Sequence, residues 1–328
     1  MKVAIFENKE LAEIKSKSDA IVEALASNYA TIINGMVGKS AKTKEQYKRN
    51  AAAFLAFVQS NGINAHSFGE FRNALEVLQI AESTKNGYLS AGKAFVREAI
   101  KYGFLPIDIA ANVPLFKTPK GHIKDGLQLG EVQKVVTQIG TIKSEATRLK
   151  MTAFFHLFAL EGFRQMEAAA LDVKDVNLSD RQIKVRGKGK DGKQAHLMLD
   201  ETAAALAAWM KFADLKTGYL FPAGKGGEGH ISERAIRKFF TDPKYGIFAK
   251  ARIDGRSVHG FRHFNITATL DAFGGDTRRA QKRARISAVQ TILSYDDRRT
   301  GKIDANELQL HFSKNLHLPD NEPSNIEQ

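Results

Sequence analysis

Between residues 173 and 200 the spacing of apolar residues changes, and that change limits what the chain can fold into. Over most of the other segments apolar residues return every three to four positions, the period of a helix that buries one face. In VKDVNLSDRQIKVRGKGKDGKQAHLMLD they alternate instead, with Gly and Lys crowded between Gly187 and Gly192. That pattern fits a short antiparallel sheet with a hairpin at the crowded point. One such stretch flanked by helices predicts a mainly α protein carrying a small antiparallel β-sheet.

The helical spacing also divides the chain. Residues 8–35 read as an amphipathic helix, with Leu11, Ile14, Ala20, Ile21, Ala24 and Leu25 on one side, and a break follows from Gly35 to Gly38. A second helix opens at Ser40 to Thr43, presents Tyr47, Ala51, Phe54, Leu55 and Val58, and stops at Gly62. FGEFRNALEVLQIA predicts a third, and a longer one follows Ser83 and Thr84 up to Gly103. Residues 1–111 are thus expected to form a helical N-terminal arm and domain. NVPLFKTPKGHIKDG, residues 112–126, holds two of the seven prolines and three lysines, which marks a linker. Lys117 and Lys120 could lie along a polyanion there. Residues 127–316 form a second, mixed α+β domain, and 317–328 a flexible tail.

Charge narrows the partners. The net charge is +13, and neither half escapes it: residues 1–120 carry 16 Lys and Arg against 11 Asp and Glu, and residues 121–328 carry 33 against 25. An excess spread over both domains suits two surfaces that face phosphates, although a basic balance can also serve solubility alone. There are no cysteines, so disulfides, thiolate metal sites and Cys nucleophiles are excluded, and a reducing cytoplasm is compatible. No apolar run reaches the roughly 18 residues of a membrane span, and the first twenty residues predict no secretion signal.

Four segments of the second domain carry candidate chemistry. LEGFRQME places Arg164 after a strongly apolar run, with Glu167 three residues on in helical pairing range; a structural ion pair at a helix end is the plain alternative. RGKGKDGKQAHL puts Lys188 and Lys190 on a Gly-rich hairpin, either a solvated turn or a mobile tip that reaches a phosphate. SVHGFRHFNITATL brings His259, Arg262 and His263 within one and a half turns of a helix. The two histidines lack the carboxylate partners of a metal site, so no metal is expected, and a core histidine beside a surface arginine is the ordinary reading. RRAQKRARISAVQTILSYDDRRTG offers Arg278, Arg279, Lys282, Arg283 and Arg285 as DNA-binding candidates ahead of Tyr295, which could equally be an interface ring.

Each segment is weak alone, but their order is specific. Arg164, Lys188, His259, Arg262 and Tyr295 resemble the active-site series of the tyrosine recombinases, the phage-integrase and Xer-like family. GFRQME looks like that family's G-[LF]-R-x-x-E, VRGKGK like its lysine-bearing β-hairpin, and HGFRH like its H-x-L-R-H. Residues 40–103 are similar to the family's helical core-binding domain. The resemblance implies a site-specific DNA recombinase with Tyr295 as nucleophile, a 3′-phosphotyrosyl intermediate and no requirement for ATP, metal or other cofactor. It implies a clamp on double-stranded DNA, a homotetramer on two sites and a cytoplasmic, nucleoid-associated enzyme.

The chemistry is reasonable on its own terms. Arg164 and Arg262 can clamp the equatorial oxygens of a phosphorane, His259 can move the phenol proton, and a hairpin lysine can protonate the departing 5′ oxygen. One position departs from the family. Nine residues before the nucleophile it usually has a His or Trp that hydrogen-bonds the scissile phosphate, and here stands Ile286. Losing such a donor could cost on the order of 10²-fold in rate, unless Arg285 or His263 substitutes. Two further readings stay open: a recombinase-derived DNA-binding protein that no longer cuts, and a nicking–resealing enzyme of the type IB topoisomerase kind.

Overall fold

The computed structural model describes residues 2–118, 126–187, 192–224, 229–286 and 291–292. It is mostly helical with one three-stranded antiparallel sheet, as the change in spacing predicts. The chain forms two compact units, residues 1–120 and 121–328.

The first unit contains α1 (Lys2–Ser27), α2 (Tyr29–Gly35), α3 (Ala41–Asn61), α4 (Ser67–Glu76) and α5 (Glu82–Lys101). The helix expected over 8–35 is two helices. Asn28 separates them, turning its side-chain nitrogen back onto the Ala24 carbonyl at 2.9 Å, the local competition with the backbone that Asn readily makes. Ser40 caps α3 by accepting from the Thr43 N–H at 3.2 Å, a contact typically worth about 1 kcal/mol. Gly62, at φ +75°, ends it. Phe54, Phe68, Phe71 and Phe95 lie in the core between the helices, and Gly92 of α5 lets the Phe68 ring approach to where a Cβ would stand 2.9 Å from it. Part of the stretch expected to be a linker is held on this unit. Asn86 accepts from the Phe116 N–H and donates to its carbonyl, at 2.8 and 2.9 Å, and Arg72 stacks over the Phe116 ring.

The second unit runs α6 (Leu129–Gly140), α7 (Glu145–Phe155), α8 (Gln165–Ala169), β1 (Val176–Asn177), β2 (Gln182–Arg186), β3 (Lys193–Leu197), α9 (Asp200–Phe212), α10 (Glu233–Thr241), α11 (Ile247–Lys250), α12 (His259–Ala272) and α13 (Thr277–Ala284). The sheet order is β1-β2-β3, with Ile183 opposite His196. Its centre is aromatic: Phe154 stacks on Phe221 at 4.1 Å, and Phe261 of α12 meets Phe155, Phe240 and Phe248 edge-on or tilted. This core seats α12 against the segment that follows α7, residues 156–160, and the site is built where they meet. The strongly apolar run before Arg164 does not form one continuous α-helix. It widens after Phe155 into a π-helical turn, His156–Leu160, and ends there.

Candidate active site

The turn from Glu161 to Arg164 gathers the site. Glu161 N–H reaches back to the His156 carbonyl at 3.1 Å and Phe163 N–H to the Leu157 carbonyl at 2.8 Å, closing the wide turn. Turns of this kind are frequent at functional sites. Asn265, from α12, donates to the carbonyls of Ala159 and Leu160. Gly162 then bends the chain at φ +63°, and a Cβ there would stand 2.5 Å from Asn265 Oδ1, so no side chain fits without displacement.

Arg164 stands at the start of α8. Its backbone N–H donates to Glu167 at 3.0 Å and its guanidinium to the other carboxylate oxygen at 2.6 Å, so the pairing expected from the spacing is present. The Arg164 side chain keeps 28% of its surface exposed while Glu167 keeps 1%. Arg262 arrives from 100 positions further along the chain and donates to the carbonyl of Gly162; its second terminal nitrogen donates to the carbonyl of Ala284. Far from being a surface arginine, Arg262 is 1% exposed. His259 is exposed at the start of α12, His263 is buried, and their rings meet edge to face at 4.9 Å. Among the described residues no group of three or more His, Asp or Glu side chains is arranged to hold a metal ion.

The basic helix α13 splits into two populations. Arg278, Arg279 and Lys282 are exposed. Arg283 and Arg285 turn inward instead. Arg283 donates to Glu161 at 2.5 Å and to the Leu197 carbonyl at 2.7 Å, while Arg285 donates to Glu167 at 3.2 Å and stacks over the Phe163 ring. A cleft of about 970 Å³ runs between β3 and α13, with Arg278, Lys282 and Arg283 in its wall. Ile286 is buried in a small apolar cluster with Ile266, Leu270 and Ala284. Lys117 is exposed in the first unit. Lys120, Lys188, Lys190 and Tyr295 lie outside the described residues.

Two residues that sequence reasoning passed over sit at the centre. Glu161 is fully buried and accepts from the Leu199 N–H, from Arg283 and from His196, whose Nε2 lies 2.8 Å away. The other ring nitrogen of His196 lies 3.1 Å from Arg285 Nη1. An arginine only donates, so His196 Nδ1 must accept and Nε2 must carry the proton: the imidazole is neutral. Burial, the largest cause, pushes its pKa down; the hydrogen bond to Glu161 pulls the other way, and Arg285 and Arg283 add to the lowering. Burial pushes both carboxylates up, but their partners win. His196 and Arg283 hold Glu161 below the ordinary carboxylate range, and Arg285 with Arg164 does the same for Glu167. The signal for His196 was available, because in the two-residue alternation it occupies the position opposite Ile183, a buried apolar residue of β2.

A helical second domain with a small sheet, and two arginines drawn to one glycine turn above a buried Glu, define a class that comparison with known proteins makes explicit. The chain belongs to the phage integrase family of tyrosine recombinases, whose family model matches residues 127–300. It is similar to a tyrosine recombinase of Synechocystis sp., 34% identical over 152 residues, which are 45% of this chain and 47% of that relative, so the chain spans about half of the relative's length. It is also similar to tyrosine recombinase XerC of Lactobacillus delbrueckii subsp. bulgaricus, 27% identical over 84% of this chain and 91% of the relative. Among solved structures, the fold matches a XerH site-specific recombinase bound to a palindromic difH substrate, with TM-score 0.65, 18% identity and 81% and 79% coverage of this chain and that one. It matches a lambda integrase dimer bound to a COC′ core site with TM-score 0.63, 16% identity and coverage of 85% and 96%.

Proposed function

We propose that this protein is a site-specific DNA recombinase that cuts and rejoins strands through a 3′-phosphotyrosyl bond, with Tyr295 as nucleophile. The observation that carries the reading is the convergence of Arg262 and Arg164 on one turn, Arg262 binding the Gly162 carbonyl two residues before Arg164. Two guanidiniums fixed by a buried frame are suited to the charge that gathers on phosphate oxygens during in-line attack. In the first half-reaction the Tyr295 oxygen forms a bond to phosphorus, the bond to the 5′ oxygen breaks, and that oxygen leaves as a hydroxyl. His259, exposed at the start of α12, takes the phenol proton in this reading, and Lys188 supplies the proton of the leaving group. A 5′-hydroxyl from a second strand then reverses the chemistry. The partner is double-stranded DNA carrying a specific site, bound by a homotetramer on two such sites, with Lys117, Lys120, Lys190 and the exposed face of α13 on its phosphates.

One observation favours a second reading, a DNA-binding protein of recombinase descent that does not cut. Ile286 is buried among aliphatic neighbours where the family usually has a hydrogen-bonding side chain. Covalent trapping separates the two. Nicked duplexes of randomised sequence let a cleaved fragment escape, so a protein–DNA adduct accumulates on denaturing gels. An adduct that disappears in Tyr295→Phe is the expected result, and its DNA identifies the target. Salt-sensitive binding with no adduct would replace the recombinase reading with the non-cutting one. An adduct formed by a lone protomer without paired sites would point to a topoisomerase-like enzyme.

A further inference from the structure

The C-terminal end of α13 holds a residue whose placement the series of catalytic groups does not explain. Arg285 adopts left-handed backbone at φ +54°, an uncommon conformation for a residue with a side chain. Its side chain is 6% exposed, and among the described residues its Nε has no hydrogen-bond partner. An unsatisfied buried donor and a disfavoured backbone at the same position both cost stability, and such outliers persist where the surroundings over-determine them for function.

What they secure is the position of one guanidinium. Nη1 donates to the carbonyl of Glu161 at 3.3 Å and to His196 Nδ1 at 3.1 Å; Nη2 donates to the Gly162 carbonyl at 3.3 Å and to Glu167 at 3.2 Å. The plane of the group lies over Phe163, 4.2 Å from the ring centre. Arg285 therefore grips both ends of the turn that carries Arg164, and it shares the Gly162 carbonyl with Arg262. The terminal nitrogens are spent on protein atoms, so the group is not arranged to donate to a phosphate. Ile286, the next residue, is turned into the apolar cluster and contributes no side-chain hydrogen bond to the turn.

We propose that Arg285 is a positioning residue for strand transfer, which locks Glu167 and the Glu161–Gly162 turn so that Arg164 is held ready for the scissile phosphate. It does from the protein side what Ile286 cannot do from the substrate side: it stiffens the site rather than adding a donor to it. This rests on the recombinase reading. Glu167 is faced by Arg164, which precedes α8, and by Arg285, which follows α13, and Arg285 is itself faced by Glu161 and His196. Removing Arg285 leaves Arg164 alone to keep Glu167 ionised, and a protonated Glu167 no longer holds Arg164.

The test uses the full chain and a nicked duplex carrying its trapped target, with adduct formation timed across pH. Arg285→Gly is the informative variant, because glycine relieves the left-handed backbone while removing the guanidinium. It should form adduct on the order of 10²-fold more slowly at neutral pH, the scale of a misplaced catalytic group, and should slow further as pH falls where the wild type stays level. Arg285→Lys, charged but unable to bridge, should not restore the rate. In a Glu167→Gln background the same substitution should add little and bring no acid limb. A wild-type rate in Arg285→Gly, or losses that multiply independently of Glu167, would overturn the proposal while leaving the recombinase reading intact. A wild type that forms no Tyr295-dependent adduct would overturn that reading, and the role in strand transfer with it. The Arg285–Glu167 coupling is then judged without DNA by ¹³C-carboxyl titration of Glu167: an upward move in Arg285→Gly supports it, and an unmoved titration refutes it.

Discussion

His196 Nδ1 and Arg285 Nη1 lie 3.1 Å apart, a contact that exists only while the imidazole is neutral. A second proton on His196 would set a cation against an obligate donor with Arg283 also close by. The folded pKa of His196 is depressed below its ordinary 6.5, so its contribution to stability is present above 6.5 and is lost as pH falls through the folded value. Glu161 and Glu167 are depressed below 4.5, and theirs is present above 4.5 and lost lower still. We expect an unfolding free energy level at about pH 7 to 8 that declines in two stages on acidification. Urea melts across pH would show it, and His196→Asn should shrink the upper stage to the part due to His156, whose pKa burial also lowers, and leave the lower stage unchanged. An upper stage undiminished in the variant would exclude His196 as a source.

Glu161 is the acceptor for Arg283, His196 and the Leu199 N–H together. Glu161→Ala strands three donors in the interior and should cost roughly 3–5 kcal/mol, the usual cost of breaking a buried ion pair from one side. Glu161→Gln keeps an acceptor and should cost less than half as much. Equal losses in the two variants, read from denaturant midpoints, would mean that packing rather than charge decides.

The two populations on α13 should behave differently. Arg278→Ala and Lys282→Ala remove exposed charges and should each flatten the slope of log affinity for DNA against log salt by about 1. Arg283→Ala removes a charge already spent on Glu161, so the slope should change little while stability falls by about 2 kcal/mol. A slope change in Arg283→Ala as large as in the other two would show that Arg283 leaves Glu161 when DNA binds.

At position 286 the environment argues against gain by reversion. Ile286→His would place an imidazole among Ile266, Leu270 and Ala284. It should lower stability by about 1–3 kcal/mol for the uncompensated polar group and should not raise the rate of adduct formation. A faster variant would mean that the segment around residue 286 rearranges on DNA.

The sequence made the helices legible wherever one face is consistently apolar, and the sheet legible through its two-residue alternation. It made the pairing of Arg164 with Glu167 legible because three positions on a helix are neighbours. It hid contacts that join distant segments: Glu161 with His196, 35 positions away, and Arg283 with Glu161, 122 positions away. Inward and outward basic residues on α13 carry the same letters. Arg278 and Arg285 differ only in that the latter follows the end of the helix in left-handed backbone, which redirects its side chain. Local periodicity cannot anticipate that.

The π-helical turn at His156–Leu160 has a consequence for how the site tolerates insertion and deletion. Each residue of a helix turns its successor by about 100°, so the widened turn acts as a phase shifter between the aromatic core and the charged site. Phe154 and Phe158 can stay seated on one side while Glu161 comes round to face Arg283 and His196. Deleting one residue there would keep nearly all the apolar packing and yet swing the carboxylate out of register with Arg283 and His196. The fold would survive as a scaffold with its chemistry aimed the wrong way.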